Sequence, residues 1–111
     1  MGKGKYLGEF EQLVLLALFR LGSEGYGMTV RREIYETTGR DASIGSVYAT
    51  LERLESKGLL VSSHSDIPEG GGKPRRTFAV TPAGVQALVR SRDHMTRMWQ
   101  GVSIEKGAPT S

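Results

Sequence analysis

The sequence predicts a mainly α (α+β) fold: three helices, a two-stranded hairpin and a longer closing helix. Three observations carry this. Helical patterns of apolar residues run from Phe10 to Leu21, from about Met28 to Thr37, from Ile44 to Lys57 and from Pro82 to about Gly101. Turn-forming residues separate them at Gly22 to Gly27, Gly39 to Ala42 and Gly58. Between the last two runs the pattern changes to alternation on either side of Pro68 to Pro74, a stretch that fits no regular element. Residues three and four apart share a helix face, whereas alternate residues share a strand face.

In the first helix, Phe10, Leu13, Val14, Ala17, Leu18 and Leu21 keep one stripe, and Leu15, Leu16 and Phe19 fill the other side. A helix apolar almost all round exceeds what so small a domain covers, so part of it is expected to meet a second chain. Ahead of it, residues 1–7 read as a flexible basic arm carrying Lys3 and Lys5, either a phosphate-reaching tail or a frayed terminus. The glycines of Gly22 to Gly27 match neither the lysine-bearing phosphate loop nor the dinucleotide fingerprint. The second helix reads with Met28, Val30 and Ile34 inward and Arg31, Arg32 and Glu33 mostly outward, and Gly39 ends it. A short turn to Ala42 completes the order helix, helix, turn, helix.

Ser43 to Leu60 is the most sharply punctuated stretch. Ser43 is placed to accept a bond from the amide three residues on, and Gly58 stands where a left-handed C-cap is wanted. Ile44, Val47, Leu51 and Leu54 share one face, opposite Gly45, Ser46, Ala49, Arg53 and Ser56. Surface helices ordinarily project long charged side chains. A bare, small, polar strip instead suits a large partner, and the candidate is a DNA major groove. Tyr48 lies at the border between the faces, either reaching a phosphate with its hydroxyl or simply half-buried.

Leu59 to Ile67 and Arg75 to Thr81 read as strands, with Phe78 and Val80 facing one way and Thr77, Ala79 and Thr81 the other. Lys73, Arg75 and Arg76 crowd the tip and second strand, and a hairpin so charged suits a phosphate wall. Thr81-Pro82 then starts a helix in which Val85, Leu88, Arg92, Met95, Trp99 and Val102 follow at intervals of three and four. A helix leaving its domain with an apolar seam needs a partner. Self-association is therefore expected through Leu16 and Phe19 of the first helix and Val85, Leu88, Met95, Trp99 and Val102 of the last. Trp99 is either a dimer core residue or, with Met95, one wall of a site for a small aromatic ligand. The organisation expected is an arm at 1–7, a winged helix-turn-helix domain at 8–81 with a two-stranded β wing, a C-terminal dimerisation helix at 82–102 and a disordered tail at 103–111.

The absence of cysteine excludes disulfides, thiolate nucleophiles and Cys-ligated zinc. His64 and His94 stand apart, leaving no nucleus for a metal pair or a Ser-His-Asp arrangement. Glu52 and Glu55 read as solvated carboxylates beside Arg53 and Lys57. No enzyme, cofactor or metal is expected. No apolar run reaches the roughly 18 residues of a membrane span and no signal-peptide pattern opens the chain, so a cytoplasmic protein without a membrane partner is expected. The net charge of +3 tilts toward anionic partners. Two functions stay open on the residues alone: a homodimeric regulator of transcription on double-stranded DNA, or a protein-interaction module without a DNA target.

The order of motifs resembles the PadR family of bacterial transcriptional regulators. The matching residues are Leu13 to Leu18, Tyr26-Gly27, Gly45-Ser46-Val47-Tyr48 with Leu51, Leu54, Glu55 and Gly58-Leu59-Leu60, then Lys73-Pro74-Arg75-Arg76 and Thr81-Pro82-Ala83-Gly84. They cover about the first 85 to 90 residues. The resemblance implies a winged-helix domain, a homodimer formed by the C-terminal helix with help from the first, and an inverted-repeat operator, usually bound as a repressor. It also implies that Tyr48 is the recognition-helix tyrosine and that Arg75 and Arg76 are the basic wing residues. Together with the groove-facing positions, the DNA-binding set is Ser43, Ser46, Tyr48, Ala49, Arg53, Lys73, Arg75 and Arg76. Where family members often carry two aromatics after the basic wing residues, this chain has Thr77 and Phe78. Its short last helix is similar to that of a compact subfamily, some members of which bind flat aromatic compounds between subunits, a role that would fall to Trp99.

Overall fold

Backbone polar groups at the ends of each helix need partners, and local side chains or glycines supply them here. In the computed structural model, which describes residues 6–64 and 75–104, the elements are α1 (Glu9–Leu21), a 3-10 turn (Gly22–Glu24), α2 (Gly27–Thr38), α3 (Ile44–Ser56), β1 (Leu60–His64), β2 (Arg76–Val80) and α4 (Pro82–Trp99). The Gly8 amide donates to Glu11 Oε1 at 2.9 Å, and the Tyr26 amide donates to Thr29 Oγ1 at 3.0 Å. Ser43 and Thr81 each accept from the amide three residues on, both at 3.1 Å, as their positions in the sequence predict. Gly39 and Gly58 close α2 and α3 with φ of 80° and 76°, a region that a side chain disfavours.

The core forms where α1, α2 and α3 meet the hairpin. Val14, Leu15, Val30, Val47, Leu51 and Leu54 are fully enclosed, with Leu60 and Phe78 closing the hairpin side. β1 and β2 pair antiparallel, with Leu60 opposite Val80, Ser62 opposite Phe78 and His64 opposite Arg76. The segment before α2 joins this sheet: the Phe78 amide donates to the Gly25 carbonyl at 2.8 Å, and Tyr26 forms a bridge with Thr77. Gly84 lets the start of α4 press onto the backbone just ahead of β1, because a Cβ there would lie 2.2 Å from the Leu59 carbonyl oxygen.

Several sequence expectations change. Leu15, placed on the second side of α1, is a core residue, whereas Leu16 and Phe19 remain 47% and 52% exposed. Met28, expected inward, is exposed, because α2 buries Thr29, Val30 and Ile34 instead. Leu7, assigned to the arm, is buried, and Tyr6 stacks on His94 with ring centroids 4.9 Å apart. The first strand begins at Leu60 rather than Leu59. α4 ends at Trp99, short of Gly101, and buries Gly84, Ala87, Leu88 and Ser91, all in its first ten residues. Beyond Ser91 no described residue is buried, and the outer half of the helix is met among the described residues by Tyr6 at His94. No described helix is long and apolar enough to cross a membrane.

Candidate nucleic-acid interface

The two halves of α3 differ. In the first half Ser43 Oγ bonds both the Ser46 amide and the Ser46 hydroxyl, the latter at 2.9 Å, so both short side chains stay close to the backbone. Gly45, Ser46 and Ala49 are exposed and present a low surface. A shallow hollow runs beside them, bounded by Phe10, Arg40, Asp41 and Arg53. The turn ahead of α3 is braced by Arg31, whose Nε donates to the Ala42 carbonyl at 2.7 Å. This fixes the angle at which Ser43 is presented.

The second half of α3 is gripped from both flanks. On one, Arg53 Nε and Lys57 Nζ each donate to Glu11 Oε2 of α1 at 3.0 Å. Burial alone would raise the Glu11 pKa, yet the Gly8 amide, Lys57 and Arg53 together hold it below the ordinary carboxylate value. On the other flank, Arg76 of β2 donates to Glu52 Oε2 at 3.0 Å and to Glu55 Oε1 at 2.6 Å. Glu55 Oε2 also accepts the Ser62 amide at 3.2 Å and the Ser62 hydroxyl at 2.6 Å. Bonds from Ser62, with support from Arg76, depress the Glu55 pKa, and the Arg76 pKa is raised, first by its bond to Glu52. Glu55, read from sequence as solvated, is therefore a structural partner of the hairpin, while Glu52 stays exposed as it meets Arg76.

Tyr48 packs its ring across Gly27, where a Cβ would lie 2.3 Å from Cζ, and is 39% exposed. Only glycine lets the two helices come so close there. Arg75 is exposed and stacks its guanidinium 4.6 Å from the Tyr26 ring centroid. Tyr48 against Gly27 and Arg75 over Tyr26 thus meet two adjacent residues at the start of α2, with Arg75 at the tip end of the strand ladder. Of the sequence-predicted DNA-binding set, Ser43, Ser46, Ala49, Tyr48 and Arg75 present exposed groups on this side. Arg53 and Arg76 are engaged by carboxylates, and Lys73 lies outside the described residues, as do Lys3 and Lys5.

The residues expected to meet a second chain fall into two groups. Leu16, Phe19, Val85 and Leu88 line a hollow of about 250 Å³ between α1 and α4, together with Gln12, Val89 and Arg92. Met95, Trp99 and Val102 lie further out along α4 and its end, all exposed, and Met98, missed by the spacing argument, is 74% exposed. Glu11 was also missed. A charged residue in line with Leu7, Val14, Leu15 and Leu18 on the buried stripe is the signal that a cation must come to it. Among the described residues no cluster of three or more acidic or histidine side chains exists to hold a metal.

Comparison with known proteins is consistent with this arrangement. The profile of the transcriptional regulator PadR-like family matches residues 14–90. A transcriptional regulator of Mycobacterium tuberculosis (strain ATCC 25618 / H37Rv) is 39% identical over 70 residues, which is 63% of this chain and 62% of that protein's length. The fold is similar to that of a PadR family transcription regulator from Clostridium difficile R20291, with a TM-score of 0.73 at 22% identity over 90% of this chain and all of the other. It is also similar to F93 from STIV, described as a winged-helix DNA-binding protein, with a TM-score of 0.65 at 18% identity over 84% of this chain and 94% of that one.

Proposed function

This chain belongs to the PadR-like family of transcriptional regulators, and on that footing we propose that it binds an inverted-repeat operator as a homodimeric repressor. It is a transcription regulator with a winged helix-turn-helix fold, not an enzyme. The observation that carries the DNA reading is the contrast within α3. On the face away from the core its first half bears only Gly45, Ser46 and Ala49, with Tyr48 laid against Gly27 at the border, while Glu52, Arg53 and Glu55 are engaged in contacts at the other end. A helix so cleared enters a major groove without collision, with Ala49 able to meet a thymine methyl and Ser46 a base edge. Tyr48 and Arg75 then flank the groove as phosphate ligands.

Dimerisation through α1 and α4 supplies the second recognition helix. Leu16, Phe19 and Val85, exposed around one hollow, and Met95, Trp99 and Val102 along the free half of α4 support that surface. A small aromatic effector held by Met95 and Trp99 between subunits would release DNA if it bound better to an arrangement with the recognition helices wrongly spaced.

The test is selection of duplexes from a random pool by the full-length protein, followed by affinity measurements across salt concentrations. A palindromic site should emerge with half-sites about one helical turn apart. Arg75→Ala should flatten the slope of log K against log salt by about 0.9 for each phosphate that Arg75 neutralises. If no duplex is retained at low salt, the DNA reading is withdrawn in favour of a protein-interaction module. Titration of aromatic compounds against Trp99 fluorescence addresses the effector, and silence across a broad panel removes it.

A further inference from the structure

We propose that Glu55 and Arg76 are positioning residues that lock the hairpin to the recognition helix, and that Arg76 is not a phosphate ligand; this rests on the DNA-binding reading above. One carboxylate ties the last full turn of α3 to both strands. Its Oε1 takes Arg76 of β2, and its Oε2 takes the amide and hydroxyl of Ser62 of β1. The second arm of the same guanidinium is held by Glu52. The Arg76 guanidinium lies 4.9 Å from the ring centroid of Phe78, a core residue, so its flat face is packed while its edges meet the carboxylates.

A guanidinium whose two arms already face two carboxylates offers little to a phosphate. Turning it toward DNA would also leave Glu52 and Glu55 unneutralised beside the duplex. The neighbouring Arg75 differs: it is exposed and lies over the Tyr26 ring. Adjacent residues of an extended chain point to opposite sides. The pair of arginines therefore divides the work, with Arg75 toward DNA and Arg76 toward the protein. The clasp fixes the offset between the helix that enters the groove and the hairpin that meets the backbone.

Charge and geometry predict opposite signs for Glu55→Gln. Removing a negative charge near phosphates tightens binding if charge is all that matters, whereas a broken clasp weakens it. We expect about tenfold weaker binding to the selected duplex, with the wild-type salt slope kept. Arg76→Gln should weaken binding similarly, again with an unchanged slope. The double variant should bind no more weakly than the weaker single, because one clasp can be broken only once. Tighter binding by Glu55→Gln overturns the proposal, as do additive effects or a slope flattened by about 0.9 per phosphate in Arg76→Gln. Amide exchange of the free proteins supplies a readout without DNA. The Ser62 amide should exchange about tenfold faster in Glu55→Gln while Leu18 in α1 is unchanged. An unaltered Ser62 rate overturns the clasp itself, even should the wild-type protein retain no duplex.

Discussion

The inner stripe of α3 and the outer half of α4 follow the same rule of spacing and meet opposite fates. Val47, Leu51 and Leu54 recur at three and four and are fully enclosed. Met95, Trp99 and Val102 recur likewise and remain exposed, as do Leu16 and Phe19 of α1. Periodicity thus reports that a face must be covered, not by what. For α3 the cover comes from α1, α2 and the hairpin of the same chain. For α4 the last residue buried among the described ones is Ser91, and beyond it Tyr6 stacks on His94 while Met95, Met98 and Trp99 stay exposed.

The comparison can be broken most forcefully in the enclosed stripe. Leu51→Ala should lower unfolding stability by about 2–5 kcal/mol, read in denaturant titration, since the surrounding helices cannot collapse onto the space. A cost below about 1 kcal/mol would mean that the core is looser than its burial indicates. In the uncovered stripe, Phe19→Ser with Met95→Ser should leave the circular dichroism of the domain intact but shift sedimentation from dimer to monomer. Retention of the dimer would place the subunit contact elsewhere.

Gly27→Ala comes next, at about 1–3 kcal/mol, because a methyl there must displace the ring of Tyr48. If it leaves stability unchanged, the ring moves freely and the close packing of α2 and α3 is not needed. The smallest effect concerns Glu11. Its folded pKa lies below the ordinary carboxylate value, so its contribution is complete above that value and drains away as pH falls through the folded one. Thermal unfolding of Glu11→Gln should therefore fall less steeply with acid than wild type. Some slope should remain, because Glu33 and Glu55 are depressed in the same direction. Parallel curves would show that Glu11 gains nothing from Arg53 and Lys57.

The sequence by itself determined the order of the elements and the ends that carry a cap. Ser43, Gly58, Thr81-Pro82 and Gly39 act on the nearest turn of backbone, so their meaning is local and survives without knowledge of the fold. It also determined the bare half of α3, because helical periodicity alone sorts Ser46 and Ala49 from Val47 and Leu51. Only the tertiary structure decided the partners of the charges. Glu11 lies 42 residues from Arg53, and Arg76 lies 21 from Glu55. No spacing rule connects such pairs, since their contact depends on how α1 and the hairpin are set against α3. The same reason explains Arg75 and Arg76, adjacent in sequence and alike in charge, which strand alternation and packing send to different neighbours, the Tyr26 ring and the carboxylates of α3.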